Sequence, residues 1–246
     1  MLCEEKIRQA LDRDLPVTCL ETTDSTNLRL KEKCRAGDHR VQLLCAASQT
    51  AGRGRLGRSF LSPEGTGIYM SLLLPLRSDE LPLTIRAAAA VCRAVEEVCG
   101  RSLKIKWVND LFFSGRKVCG ILAEGVENRA VLGIGLNVKT PDGGFPGVPV
   151  AGALDVDADR ETLIGQIASH VLQTLDERPE SCLAYYRERM LLLGKEITFL
   201  QAGQEKNARV LGVDDRGGLL VETKTGTEIL RTGEVSIGSH QVSAFE

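Results

Sequence analysis

Apolar residues at positions 85, 88, 92, 95 and 99 recur three and four apart through TIRAAAAVCRAVEEVCG (84–100), which predicts a helix with Gly100 at its C-terminal cap. RETLIGQIASHVLQTLDERPE has the same periodicity and predicts a second amphipathic helix, stopped near Pro179. Residues 1–15 read as a short helix. Another follows in NLRLKEKCRAG, with N-cap candidates in Asp24-Ser25-Thr26-Asn27 and a terminator in Gly37. Between these lie strand patterns: VTCLETT (17–23), VQLLCAASQT (41–50), GIYMSLLLP (67–75) and AVLGIGLNV (130–138). In SLKIKWVND (102–110), Leu103, Ile105 and Trp107 alternate with Lys104 and Lys106, as on a half-buried strand. LFFSGRKVCGILAEG reads as a hairpin turning at Ser114-Gly115, and the proline- and glycine-rich stretch 141–155 as a loop.

The last fifty residues change character. Short β segments (GKEITFLQ, KNARVLGVDD, GGLLVETKTG, TEILRTGEVSI) alternate with glycine turns at Gly203, Gly217-Gly218, Gly226 and Gly233, the pattern of a small barrel. The expected organisation is therefore an α/β (α+β) domain with a mixed β-sheet flanked by helices over 1–193, followed by a small SH3-like β-barrel over 194–246. A chain of 246 residues has room for both.

Composition removes several function classes. A net charge of −2 gives no global attraction to nucleic acid or an anionic membrane, so any basic site must be local. The longest apolar run, Met70 to Pro75, is far too short to span a bilayer. The N-terminus is charged and lacks an apolar secretory core, which leads us to expect a cytoplasmic protein with reduced thiols. No two of the eight cysteines form a CxxC pair, and His39, His170 and His240 stand apart in sequence, so no metal framework is expected.

Two segments carry chemistry. Gly52-Arg53-Gly54-Arg55-Leu56-Gly57 matches the dinucleotide-binding G-x-G-x-x-G, but that motif needs a helix after the glycines. Pro63, Gly65 and Gly67 follow instead, so the Rossmann reading fails on context. Arg53, Arg55 and Arg58 in a glycine-rich loop suit a polyanion, because guanidinium forks bind phosphate and carboxylate bidentately. Such a loop is expected to lack order of its own until a ligand neutralises it; a solvated turn is the plainer alternative. In the second segment, Asn109, Asp110 and Lys117 fall on facing arms of a hairpin, where they can converge on one pocket. Lysine there can stabilise charge on a transferring phosphoryl group and aspartate can hold magnesium; the plainer alternative is a polar hairpin end with Trp107 as core filler.

Together, S-T-N (25–27), Q-T-A-G-R-G-R-L-G-R (49–58), K-W-V-N-D (106–110), R-K-V-C-G-I-L (116–122), G-I-G-L-N-V (133–138) and T-G-E-V-S-I (232–237) make the sequence resemble the biotin–protein ligases over essentially the whole chain. The resemblance implies an enzyme that forms biotinyl-5′-AMP from biotin and ATP, with Mg2+, and passes the biotinyl group to a lysine of a biotin carboxyl carrier protein. It implies that Ser25, Thr26, Asn27, Gln49, Arg53, Gly54, Arg55, Lys117 and Gly120 bind biotin. Arg53, Arg55, Trp107, Asn109, Asp110, Lys117 and Asn137 would bind the nucleotide. Lys117, Arg53 and Arg55 would be catalytic, and Asp110 the magnesium candidate. Gly120 would let the backbone approach biotin. The family usually has proline where Val108 stands, and Val108 is expected to keep the β conformation. The S-T-N motif begins at residue 25, so the class without an N-terminal DNA-binding domain is expected; a homodimer is left open. Alternatives are a lipoate or octanoate ligase or transferase of related fold, and a non-catalytic biotin-binding protein.

Overall fold

A computed structural model describes residues 1–76, 81–201, 203–231, 233 and 235–237. The chain opens with α1 (Glu4–Gln9) and β1 (Val17–Thr23), then α2 (Thr26–Arg35) and β2 (Gln42–Gln49). Strand β3 (Gly67–Pro75) and helix α3 (Leu83–Cys99) follow, then β4 (Lys104–Lys106), β5 (Asp110–Phe113), β6 (Arg116–Val126) and β7 (Arg129–Asn137). Helices α4 (Arg160–Asp176) and α5 (Pro179–Glu188) lead to β8 (Glu196–Gln201), β9 (Gln204–Val213), β10 (Leu219–Thr223), β11 (Gly226–Leu230) and β12 (Val235–Ile237).

Strands β1–β7 form one sheet in the order β1-β2-β3-β7-β6-β5-β4, parallel only between β1 and β2, which α2 connects. Its two faces are separately covered. Leu44, Leu73 and Val131 pack with Leu30 and Cys34 of α2, while Leu43, Cys45, Leu72 and Leu132 join the larger core with α3 and α4. The run Ala87–Ala90 on α3 is fully buried, and its small side chains let helices approach closely. Strands β8–β12 form a separate antiparallel sheet in the order β11-β10-β9-β8-β12. Among the described residues it stays open, with no pairing between β11 and β12. The sheet accords with the SH3-like expectation, but no closed barrel is seen. Ile197, Phe199, Val210 and Leu219 of this sheet belong to the same buried cluster as Ile85 and Trp107.

Three sequence expectations are corrected. The first helix is shorter than 1–15, because the chain leaves it at Ala10 to dock on α4: Gln166 donates to the Ala10 carbonyl and the Asp12 amide donates to Ser169 Oγ. Pro16 also biases Leu15 away from helix. The predicted strand 102–110 is broken by a turn at 107–109, and the Trp107–Val108 peptide is cis. The second long helix ends at Asp176, and Pro179 starts α5 instead of merely stopping α4, because proline's fixed φ suits the first helical position. The Ser114-Gly115 hairpin turn is present, with φ of 45° and 73°, the left-handed pair of a type I′ turn. Thr232 and Glu234 of the T-G-E-V-S-I motif lie outside the described residues. No described helix is long and apolar enough to cross a membrane.

Gly165 shows where packing overrules propensity. A Cβ there would lie 2.6 Å from Ala10 Cβ and 3.0 Å from two Ala10 backbone atoms. Gly165→Ala gains about 1 kcal/mol of helix propensity but must push backbone aside, at roughly 1–3 kcal/mol. Net destabilisation is expected in urea unfolding; a raised midpoint would show that Ala10 yields.

Candidate active site

Strand alternation puts Ser71, Gly133, Gly135, Gly120 and Glu124 on the sheet face that α2 covers. Beyond the N-terminus of α2 this face is uncovered, and a cavity of about 630 Å³ opens there. Ser25, Thr26, Asn27, Gln49, Arg53, Gly54, Arg55, Trp107, Asn109, Asp110, Lys117, Gly120 and Asn137 all line it.

One end is a chain of hydrogen bonds. Ser25 holds the N-cap position of α2 without a side-chain cap, and Gln49 takes over that task. Gln49 Oε1 accepts from the Thr26 amide at 2.9 Å and the Thr26 hydroxyl at 3.2 Å, while its Nε2 donates to Ser62 Oγ at 2.9 Å. Ser62 in turn donates to the Phe60 carbonyl at 3.0 Å. The Ser71 hydroxyl, fully buried, lies 2.7 Å from Thr26 Oγ1 and 2.6 Å from Asn27 Oδ1. Asn27 Nδ2 donates to Glu124 Oε2 at 2.9 Å, and Lys31 Nζ pairs with Glu124 Oε1 at 2.5 Å. These partners orient the Asn27 amide, since its oxygen can only accept and its nitrogen only donate. The arrangement needs glycine at 133, where a Cβ would fall 2.2 Å from Asn27 Oδ1. Burial alone would raise the Glu124 carboxyl, but Lys31 and Asn27 outweigh it and hold the group below its ordinary value.

At the other end Lys117 Nζ meets Asp110 Oδ1 at 2.7 Å. They come from adjacent strands, where a bulge at Leu111/Phe112 shifts the register. Asn109 has both ends of its amide engaged: Nδ2 donates to the Ile121 carbonyl at 2.8 Å and Oδ1 accepts from Arg55 Nη1 at 2.9 Å. Arg55 Nη2 also donates to the Gly233 carbonyl at 2.9 Å. Asn137 Nδ2 donates to the Gly152 carbonyl, and Trp107 Nε1 to the Gly217 carbonyl at 2.9 Å. The segment read only as a loop is bonded into the site too: the Lys117 amide donates to the Val150 carbonyl at 2.8 Å and the Gly152 amide to the Lys117 carbonyl at 2.9 Å.

The arginine loop departs from expectation. It is a closed hairpin, not a free coil: the Gly54 amide bonds the Arg58 carbonyl at 2.7 Å, the Phe60 amide bonds the Gly52 carbonyl at 2.9 Å, and Arg53 bridges Ser59. Gly52 makes that closure fit, because a Cβ would lie 2.3 Å from the Phe60 carbonyl oxygen. Arg55 is half-buried and anchored, and Arg53 is exposed. What approaches Gly120 here is the Phe60 ring, 3.4 Å from a Cβ built at Gly120 and 2.6 Å from one at Gly135. Ser71, Phe60, Ser62 and Glu124 escaped the sequence reading. The alternation of Gly133 and Gly135 was a usable signal for the bare sheet face.

Residues 19–140 match the biotin/lipoate A/B protein ligase family, and residues 192–238 match the biotin protein ligase C-terminal domain. The chain is 33% identical over 216 residues to the bifunctional ligase/repressor BirA of Bacillus subtilis, covering 80% of this chain but 66% of that protein's length, just under two thirds. It is 31% identical over 240 residues to the biotin–[acetyl-CoA-carboxylase] ligase of Paracoccus denitrificans, covering 89% and 99% respectively. The solved structure of a biotin protein ligase from Aquifex aeolicus in complex with biotin and ATP superposes with a TM-score of 0.75 at 30% identity, covering 90% of this chain and 97% of that one.

Two outcomes test this geometry. Ser71→Ala removes the donor to Asn27 Oδ1 in a buried setting and is expected to lower unfolding free energy by about 1–3 kcal/mol; an unchanged denaturation midpoint would contradict the network. Because the folded Glu124 carboxyl is held low, its contribution is present above the ordinary value of 4.5 and fades as pH falls through the lower folded value. The stability gap between wild type and Glu124→Gln should therefore narrow on acidification, and a gap that widens there would reverse the sign.

Proposed function

The chain belongs to the biotin protein ligases, within the biotin/lipoate A/B protein ligase family, and we propose that it catalyses ATP-dependent biotinylation of a carrier-protein lysine. The carrying observation is the Lys117–Asp110 pair, set in the wall of the same cavity that ends in the Thr26–Gln49–Asn27 network. A cavity of about 630 Å³ is within the range of small-molecule sites, roughly 300–1,000 Å³.

In the first step the biotin carboxylate attacks the α-phosphorus of ATP, a P–O bond forms, and pyrophosphate leaves. Lys117 places its ammonium where negative charge gathers on the α-phosphate and carboxylate, and Asp110 fixes its aim. Ser25, Thr26, Asn27 and Gln49 hold the polar head of biotin, while Arg53 and Arg55 cover the adenylate and keep water from the mixed anhydride. Trp107 and Asn137 lie toward the nucleotide. Asn109 acts through Arg55, since both ends of its amide are already engaged. In the second step the carrier lysine amine attacks the acyl carbon, and AMP departs with the bonding pair.

Asp110 is the one carboxylate lining the cavity among the described residues, so it fits a shared role with phosphate oxygens in holding Mg2+. When bound, such an ion would supply charge neutralisation for the phosphates, with Asp110 helping to hold it. The names of the relatives support a biotin carboxyl carrier domain of acetyl-CoA carboxylase as acceptor. Eight free thiols suit a reducing, cytoplasmic setting.

Biotin-dependent exchange of pyrophosphate into ATP tests the first step, with lipoate run in parallel. Lys117→Ala is expected to slow exchange roughly 10²–10³-fold, the scale for losing one preorganised charge contact. Near-normal exchange in that variant would remove Lys117 from the chemistry, and exchange with lipoate but not biotin would redirect the substrate.

A further inference from the structure

On the same sheet face, at the opposite end of α2 from the cavity, three potential ligands converge. Cys34 is in the last turn of α2, His39 in the loop that follows, and Glu127 in the two-residue turn joining β6 and β7. The Cys34 Sγ to His39 Nδ1 distance is 3.4 Å, Cys34 Sγ to Glu127 Oε2 is 3.8 Å, and His39 Nδ1 to Glu127 Oε2 is 3.6 Å. A tetrahedral ion with bonds of about 2.3 Å to sulfur and about 2.0–2.2 Å to nitrogen or oxygen sets its donor atoms roughly 3.4–3.6 Å apart. The three atoms thus stand nearly as they would around zinc, with one tetrahedral corner left for water. Asp38, beside them in sequence, is engaged instead by Arg40 at 2.9 and 3.0 Å.

We propose that Cys34, His39 and Glu127 form a zinc site distinct from the biotin and ATP cavity. One thiolate and one carboxylate neutralise the dication, and the donor set of sulfur, imidazole nitrogen and carboxylate oxygen selects zinc over magnesium or calcium. The sulfur closes a small core of Leu30, Leu44, Leu73, Val126 and Val131, which shields it from solvent. His39 and Glu127 stand at the rim, where an ion can enter. Without metal, burial pushes the Cys34 thiol up and the Glu127 carboxylate adds to this, while Arg129 and Arg35 pull the other way. Loading must release the thiol proton, so affinity rises with pH.

The site staples the C-terminal end of α2 to the β6–β7 turn. The other end of that helix carries Thr26 and Asn27, and the two strands carry Glu124 and Gly133. Binding therefore restrains the scaffold of the cavity without touching its ligands, and zinc is expected to raise the melting temperature.

The test uses the metal-free full chain, titrated with Zn2+ by calorimetry and with Co2+ by absorption. One equivalent should bind, with tetrahedral cobalt bands in the visible and a thiolate-to-cobalt band in the near ultraviolet. His39→Ala and Glu127→Gln, at a half-buried and an exposed position, should weaken binding by about 100-fold or more and abolish the zinc-dependent thermal shift. Cys34→Ser should remove the thiolate band; if that variant does not fold, the two rim variants decide. No thiolate–cobalt band in the wild type, or undiminished affinity in His39→Ala, would overturn the site.

Discussion

Much of the structure rests on the rule that a buried polar group must find its partner. The bonds running from Ser62 through Gln49, Thr26, Ser71 and Asn27 to Glu124 and Lys31 join the arginine loop, α2, β3 and β6 in one network. Each member has its donors and acceptors assigned by its neighbours, so the cavity end is polar yet rigid. Under the proposed function a ureido ring would need matched donors and acceptors held still, and a rigid network of this kind would suit that need.

The cationic end is held differently. Lys117 is fixed from three directions: by Asp110 across the hairpin, and through its own amide and carbonyl by the 150–152 segment. Arg55 ties the arginine loop to Asn109 and Gly233, so the loop is held against the cavity at two points. Two anchors on one guanidinium restrict the loop's travel, which fits the proposed role of a cover that excludes water and still opens for products.

How much of this was legible depends on the range of the interaction. The helices α3 and α4 and strands β2, β3 and β7 follow from local periodicity, because burial on one face writes itself into spacing. The meeting of Asp110 and Lys117 was legible because a hairpin is itself local. The restart of a helix at Pro179 was not, since proline reads equally as a stop and as a first helical residue. Ser71 and Glu124 are ordinary strand residues until α2 lays Asn27 between them. Cys34 and Glu127 lie 93 positions apart, and no spacing rule reaches that far. The arginine loop misled because glycine suggested freedom, whereas Gly52 is there to let backbone close on backbone.

The indole of Trp107 donates its proton to the carbonyl of Gly217, and the apolar cluster runs on without a seam from Ile85 and Trp107 to Phe199 and Leu219. The change of pattern near Gly194 therefore marks where the chain switches from one sheet to the other, across a shared apolar core. Severing it there would strand a polar proton and bare a greasy wall on either fragment. Moving the C-terminal sheet to another protein would expose the apolar residues it shares with the first domain unless the surface beneath it travels too.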